Sequence, residues 1–283
     1  MSDDDRTEQL GSAIETIAKE QKTLECAVSV RDYNSDFRFS MKSDRLFHAA
    51  STIKVAILLA VMKAVDEGRA RLDAPLHVRN RFLSVVDQSP YKLDRESDGY
   101  PQLYKSIGRT AKIAELADCM ITSSSNLATN LLLDFVGTDE AAKVLRDAGL
   151  SGVHLRRGVE DENAYDEGIN NEATADGLAE LFAAFRGDFL SKNSREHAIH
   201  ILLQQRFTSM IPAGLPSHAT VAHKTGEIST VCHDAGIVYL PEREPYIVAV
   251  LTEVDPDSNG RRETVAKISK VIYEAVTGTR TGK

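Results

Sequence analysis

Strand-forming patterns occur only near the two ends of this chain. Five segments have the alternation or the β-branched content of strands: 27–30, 37–41, 220–224, 235–240 and 246–252. The intervening chain, roughly 70–207, has mostly helical spacing of its apolar residues. One antiparallel sheet can include all five segments only if the two ends of the chain meet in it. The sequence therefore predicts an α+β fold with a helical insertion.

The helices predicted outside that block support the same arrangement. Amphipathic helices are expected at 7–22 and 261–276. The segment 51–67 is expected to be a helix that Gly68 ends, and its residues 55–62, VAILLAVM, are apolar on every face. A helix without a polar face lies inside a domain, surrounded by other elements.

These predictions combine into one domain, 1–283, of two lobes. An antiparallel sheet flanked by the terminal helices would form an α/β lobe from 1–48 and 208–283, and an all-helical lobe, 49–207, would be inserted into it. A chain of 283 residues with 42% hydrophobic content is long enough to bury a core of this size.

Charge and composition argue against several classes of protein. The 42 acidic and 34 basic residues give a formal charge of −8, whereas a dedicated nucleic-acid binder has a basic surface, so we expect no nucleic-acid partner. The longest apolar run, 55–62, is far shorter than the roughly 20 residues that cross a bilayer. The first ten residues do not resemble a secretory signal, and Cys26, Cys119 and Cys232 have no disulfide-like spacing. We expect a monomer in the cytoplasm, or in the periplasm or outside the cell if a signal was removed.

Three short motifs follow one another along the chain: Ser51–Thr52–Ile53–Lys54, Ser124–Ser125–Asn126 and Lys224–Thr225–Gly226. The first begins the buried helix, and the last closes the predicted strand 220–224. Residues three apart on a helix share a face, so Lys54 can reach Ser51 Oγ and accept its proton. A lysine accepts a proton only when its pKa is lowered by burial or by a second cation, for which Lys224 is a candidate.

Together the motifs resemble the S-x-x-K, S-D-N and K-T-G set of the class A β-lactamase and penicillin-binding serine-enzyme superfamily. The resemblance extends to 120–132 and 223–226 and covers the chain after about residue 8. It implies a β-lactamase- or transpeptidase-like fold and a serine hydrolase that opens β-lactam rings through a Ser51 acyl-enzyme. The implied partner is a small molecule, a β-lactam or a related amide or ester.

The resemblance also implies a role for each motif residue. Ser51 would be the nucleophile, Lys54 would share in taking its proton, and Ser124 would relay a proton to the leaving nitrogen. Asn126 would bind the substrate's amide carbonyl, and the backbone N–H groups of Ser51 and Glu227 would form the oxyanion hole. The simpler alternative is that Ser51 and Ser124 only cap helices and that Asn126 is satisfied within a loop.

Two motif positions depart from the family pattern. Ser125 replaces an aspartate that supports the loop, and we expect a structural change there without loss of chemistry. Glu227, which follows Thr225 and Gly226 of the substrate-binding strand, replaces a small residue. Its carboxylate is expected to repel the carboxylate of a β-lactam, and no basic residue after Lys224 on the adjoining strand compensates for it.

The deacylating base is expected on the polar connection 156–171. In class A enzymes a glutamate after S-D-N holds the hydrolytic water, but the E-P-x-L-N signature of that loop is absent here. Glu160 is the candidate because Arg157 resembles the arginine that opens the loop. Glu162 is the alternative, and an acidic surface loop without a catalytic role is the simplest interpretation.

The sequence gives no sign of a metal or cofactor site. His197 and His200 share a helical face but have no third ligand, so we expect neither a metal nor a cofactor.

A D,D-peptidase or esterase of the same fold is the nearest alternative function, and Glu227 favours it. A catalytically silent penicillin-binding sensor domain is the alternative from another class.

Overall fold

The computed structural model describes residues 2–279. Within this range the helices are α1 (Asp3–Glu20), α2 (Lys54–Asp66), α3 (Ile113–Thr122), α4 (Asn126–Val136), α5 (Thr138–Asp147), α6 (Glu162–Asp166), α7 (Ala175–Ala184), α8 (Lys192–Leu202) and α9 (Arg261–Thr277). The strands are β1 (Glu25–Asp32), β2 (Arg38–Met41), β3 (Phe47–His48), β4 (Pro75–His77), β5 (Phe82–Leu83), β6 (Pro90–Tyr91), β7 (Thr110–Lys112), β8 (Val153–His154), β9 (Glu172–Ala173), β10 (Thr220–Ile228), β11 (Val231–Tyr239) and β12 (Tyr246–Glu253). Short 3-10 turns are formed by Ala50–Ile53, Pro101–Ser106 and Ile211–Gly214.

One five-stranded antiparallel sheet contains strands from both ends of the chain. Its order is β10-β11-β12-β1-β2, so the N-terminal hairpin pairs with the last strand through β1 and β12. This arrangement confirms the α+β fold predicted from the sequence. The strand β10 is longer than predicted, because it continues past Lys224 to Ile228.

The terminal helices bury their apolar faces against this sheet. Ile14 of α1 and Ile268 of α9 are fully buried in one cluster with Val28 of β1 and Val250 of β12. Burying a side chain of this size stabilises the fold by about 1.5–3 kcal/mol. Both helices predicted by apolar spacing are thus explained by the surface that they cover.

The chain divides into two compact units. The first runs to Thr52, takes in Ala173–Ala183 and resumes at Phe207, and the second comprises Ile53–Glu172 and Ala184–Arg206. The expected helical lobe, 49–207, differs from this division at 49–52, at 207 and, most of all, at 173–183, which belong to the first unit. Asp176 of α7 explains the difference at 173–183, since it accepts hydrogen bonds from Ser29 Oγ of β1 at 2.7 Å and Ser43 Oγ at 2.6 Å.

The second unit is built around α2. All residues of this helix from Lys54 to Met62 are buried, and it packs against α4, α5 and α8. The prediction of a helix enclosed by others is therefore confirmed, although its first residues form a 3-10 turn and the α-helix begins at Lys54. Across residues 2–279, no helix has the length and apolar content needed to cross a membrane.

Candidate active site

The turn that carries Ser51 is held by local hydrogen bonds. Thr52 donates to the Ala49 carbonyl from both its Oγ1, at 2.6 Å, and its backbone N–H, at 3.1 Å. Ala50 has a φ of +46°, a left-handed conformation that side chains rarely adopt, and its N–H donates to His48 Nδ1 at 3.1 Å. A strained backbone persists only where surrounding contacts maintain it, and such residues are common at functional sites. Ser51 itself is partly exposed.

Lys54 opens α2 directly after this turn and is completely buried. Its Nζ donates to the Ser124 carbonyl at 2.7 Å, to Ser124 Oγ at 3.0 Å and to Asn126 Oδ1 at 2.7 Å. The amino group of a buried lysine is tolerated only when hydrogen-bond partners replace its lost hydration. Two of the three sequence motifs therefore meet at one nitrogen atom.

The serine that caps α4 is Ser125. Its Oγ accepts the backbone N–H of Ala128 at 3.2 Å, which is the usual geometry of a helix N-cap. The alternative that Ser124 is the cap is therefore wrong. Ser124 has a φ of +58°, and its hydroxyl is instead in contact with Lys54.

Asp98 supplies a carboxylate next to the position where Ser125 replaces the family's aspartate. Its Oδ2 accepts the Leu127 N–H at 2.8 Å and Ser125 Oγ at 3.3 Å, and the residue is buried. Gly99 allows this close approach, since a Cβ there would lie 1.8 Å from the Ser123 carbonyl oxygen. Neither Asp98 nor Gly99 could be recognised from the sequence, because both lie in an irregular loop without a motif.

The second motif also contacts the loop carboxylate. Asn126 Nδ2 donates to Glu160 Oε1 at 2.5 Å, and Glu160 has a φ of +58°. Asn130 of α4 fixes the preceding residue, donating to the Val159 carbonyl at 2.9 Å and accepting its N–H at 2.8 Å. Glu162, the alternative carboxylate, lies exposed on the first turn of α6.

The K-T-G motif lies within β10 and not at its end, contrary to the sequence prediction, because the pairing with β11 continues to Ile228. Lys224 is fully buried, and its Nζ donates to the Thr225 carbonyl at 2.8 Å. Burial lowers the pKa of Lys224 to about 7, an effect that the charge of Asp234 partly opposes. A lysine with such a pKa can exchange its proton near neutral pH.

Gly226 brings this strand against the turn that holds Ser51. A Cβ at Gly226 would lie 3.0 Å from both the Ala49 carbonyl oxygen and the Thr52 nitrogen. Only a glycine permits this approach without displacing the turn. The backbone of β10 therefore runs beside the backbone that presents Ser51.

Glu227, the next residue, forms ion pairs with two arginines of α9. Arg261 Nη2 lies 3.1 Å from Oε1, and Arg262 Nη2 lies 2.8 Å from Oε2. No basic residue after Lys224 on the adjoining strand is near Glu227 in the sequence, but these two arginines come from a helix more than thirty positions later. Only the fold reveals them as neighbours.

A buried pair of ionisable side chains, one on β10 and one on β11, lies next to this motif. His223 Nδ1 is 2.9 Å from Asp234 Oδ1, and Asp234 Oδ2 accepts the Ile211 N–H at 3.0 Å. Both side chains are excluded from water. The sequence offered no signal for this pair beyond the proximity of His223 to Lys224.

The predicted site residues thus fall into two groups. Lys54, Ser124, Asn126 and Glu160 are connected within the second unit, whereas the Ser51 turn approaches the strand from Lys224 to Glu227 within the first. The motif from Ser51 to Lys54 belongs to both by chain continuity. Within residues 2–279, no group of three or more His, Cys, Asp or Glu side chains forms a metal site.

Comparison with known proteins gives matches over nearly the whole chain. A sequence profile described as the β-lactamase enzyme family matches residues 9–276. A β-lactamase of Streptomyces fradiae is 27% identical over 243 residues, which are 83% of this chain and 76% of that protein. These matches confirm the resemblance inferred from the three motifs.

Solved structures show the same relationship. A structure of PBP-A is 28% identical, with a TM-score of 0.81 over 96% of this chain and 97% of that chain. A point mutant of PBP-A, equally similar to this chain, was solved as an acyl-enzyme complex with penicillin G. An ancestral class A β-lactamase is 27% identical, with a TM-score of 0.79 over 95% of this chain and 99% of that chain. The chain is thus similar both to β-lactamases and to a protein named for penicillin binding.

Proposed function

This chain belongs to the β-lactamase enzyme family, and from that premise we propose that it opens β-lactam rings through an acyl-enzyme on Ser51, which water then releases. The observation that carries the proposal is a continuous hydrogen-bonded path. It runs from Lys54 Nζ through the side chain of Asn126 to the carboxylate of Glu160. A base near the nucleophile and a carboxylate connected to it are what acylation and deacylation require.

In the acylation step Ser51 Oγ forms a bond to the lactam carbonyl carbon, and its proton passes to the neutral amine of Lys54, directly or through Glu160. The carbon–nitrogen bond then breaks, and the leaving nitrogen receives a proton through Ser124 Oγ, which is 3.0 Å from Lys54 Nζ. The oxyanion would be stabilised by the N–H groups of Ser51 and Glu227, and one such donor contributes roughly 10²–10³ in turnover. The approach of Gly226 to the Ser51 turn supports that placement.

In the deacylation step Glu160 takes a proton from water while the water oxygen attacks the ester carbonyl. The bond to Ser51 Oγ breaks, and that oxygen takes up the proton that Glu160 accepted, which regenerates both groups. Glu160 is favoured over Glu162 because it contacts Asn126, whereas Glu162 is exposed on α6. Asn126, Thr225 and Gly226 would position the substrate.

Hydrolysis of a chromogenic cephalosporin tests this proposal. Wild-type protein should turn it over, and Ser51→Ala should abolish turnover. Ser151→Ala serves as the matched control, since Ser151 is exposed and belongs to none of the motifs. Turnover that persists in Ser51→Ala would overturn the assignment of the nucleophile.

Penicillin binding without hydrolysis is the second candidate, either as a D,D-peptidase or esterase or as a silent sensor. The similarity to PBP-A, at 28% identity and a TM-score of 0.81, favours it. A stable Ser51 adduct in the intact mass spectrum, without turnover, would identify this class. Failure of both a fluorescent penicillin and a fluorophosphonate to label wild-type protein would leave only a non-catalytic role.

A further inference from the structure

The carboxylate of Glu227 is built into the strand beside the Ser51 turn. At Gly226, the residue before it, the backbone of β10 lies close to Ala49 and Thr52. The side chain of Glu227 is only about a fifth exposed, because α9 covers it. A fixed negative charge therefore lies one residue from the backbone that faces Ser51.

Both arginines beside Glu227 direct their donors to this one carboxylate. Arg262 donates from Nε to Oε2 at 2.8 Å, and Arg261 pairs with Oε1. Arg261 Nη1 also donates to the carbonyls of Ile228 and Ser229, at 3.1 and 2.9 Å. The guanidinium groups are thus engaged by the protein itself, and an incoming anion would have to compete with Glu227 for them.

Common β-lactams bring such an anion. Their carboxylate is attached to the carbon next to the lactam nitrogen, so it is close to the carbonyl that Ser51 attacks. With the carbonyl oxygen held at the Glu227 N–H, as proposed above, the substrate carboxylate would come near the Glu227 side chain. The charges of the two arginines offset that of Glu227, so a substrate carboxylate would have to compete with Glu227 for their donors.

We propose that Glu227 is a selectivity residue: by occupying Arg261 and Arg262, it disfavours acyl donors with a carboxylate beside the reacting carbonyl and favours neutral ones. The inference rests on the proposed function, because it concerns the substrate class of the Ser51 reaction. Neutralising Glu227 would remove the charge that competes for Arg261 and Arg262. Their donors could then bind a substrate carboxylate.

Benzylpenicillin and its methyl ester provide a matched pair of substrates that differ only in this charge. We expect the ratio of kcat/KM for the acid to that for the ester to rise about tenfold in Glu227→Gln. Adding Arg262→Gln to Glu227→Gln should remove most of the gain.

Glu263→Gln is the control, because it makes the same change of charge on α9 at a residue that pairs with Lys267. Its ratio should stay within about twofold of wild type, which separates a local effect from a general one. Ser51-dependent reaction with an unchanged ratio in Glu227→Gln would overturn this inference alone. No Ser51-dependent reaction with either substrate would overturn the proposed function, and this inference with it.

Discussion

Asn126 donates its side-chain N–H to the carboxylate of Glu160 across 2.5 Å. The oxygen of the same amide accepts Lys54 Nζ at 2.7 Å, so the amide points its two ends at opposite charges. This orientation links the lysine that follows the Ser51 turn to the loop carboxylate. Substituting Glu160 alone therefore tests what its carboxylate contributes.

Glu160→Gln should trap the acyl-enzyme. General-base assistance contributes roughly 10²–10⁴ in rate, so the Ser51 ester of benzylpenicillin should persist for minutes or longer while acylation partly continues. Intact mass spectrometry after rapid quenching measures the adduct. Glu162→Gln is the control and should behave like wild type, because that side chain is exposed on α6. An adduct that persists only in Glu162→Gln would contradict the assignment.

Gly99→Ala should destabilise the protein by about 2–4 kcal/mol, since its Cβ would overlap the Ser123 carbonyl, 1.8 Å away. Gly11→Ala on α1 is the matched substitution, with its nearest neighbour at 3.9 Å, and should stabilise the protein by about 0.5–1 kcal/mol. Urea unfolding of both variants gives the free energies. Equal stabilities for the two would show that the loop moves without cost.

Ser125→Asp should be destabilising, even though it restores the family's residue. The new carboxylate would be buried next to Asp98, whose Oδ2 lies 3.3 Å from Ser125 Oγ. We expect a loss of about 2–3 kcal/mol that Asp98→Ala, made in the same protein, relieves by at least about 1 kcal/mol. A double-mutant cycle by urea unfolding measures this coupling, and additive losses would show that the two carboxylates do not repel each other.

The stability of the protein should depend on pH through Lys224. Its pKa is lowered by burial from 10.5 to about 7, so between these values the unfolded chain binds a proton that the folded protein has released. The free energy of unfolding should therefore rise with pH across this window, by at most about 1.4 kcal/mol per pH unit. Below about pH 7 both states are protonated, and the cost of the buried charge is fully present.

Lys224→Met is the comparison that isolates this group. The difference in unfolding free energy between wild type and Lys224→Met, measured in urea from about pH 6 to about pH 10, should change by several kcal/mol over the window. Parallel curves for the two proteins would show that Lys224 keeps its proton at high pH.

The sequence by itself determined the features that depend on neighbours along the chain. Apolar spacing located the helices that cover the sheet, and a helix without a polar face predicted the burial of α2. The three motifs identified the family because each is a few residues long and keeps its chemistry within one turn or strand. Burial of Lys54 was foreseeable from the apolar run that follows it.

Only the tertiary structure decided which distant groups complete the site. The loop of 156–171 has no periodicity, so the choice of Glu160 over Glu162 rested on the resemblance of Arg157 alone; only the structure shows that Glu160 contacts Asn126 while Glu162 lies exposed. Asp98 beside Ser125 and the two arginines beside Glu227 come from segments 27 and more than thirty residues away. Electrostatic and hydrogen-bonding interactions depend on the distance between groups in space, which local sequence patterns do not encode. Only the fold brings Asp98 to Ser125 and the two arginines to Glu227.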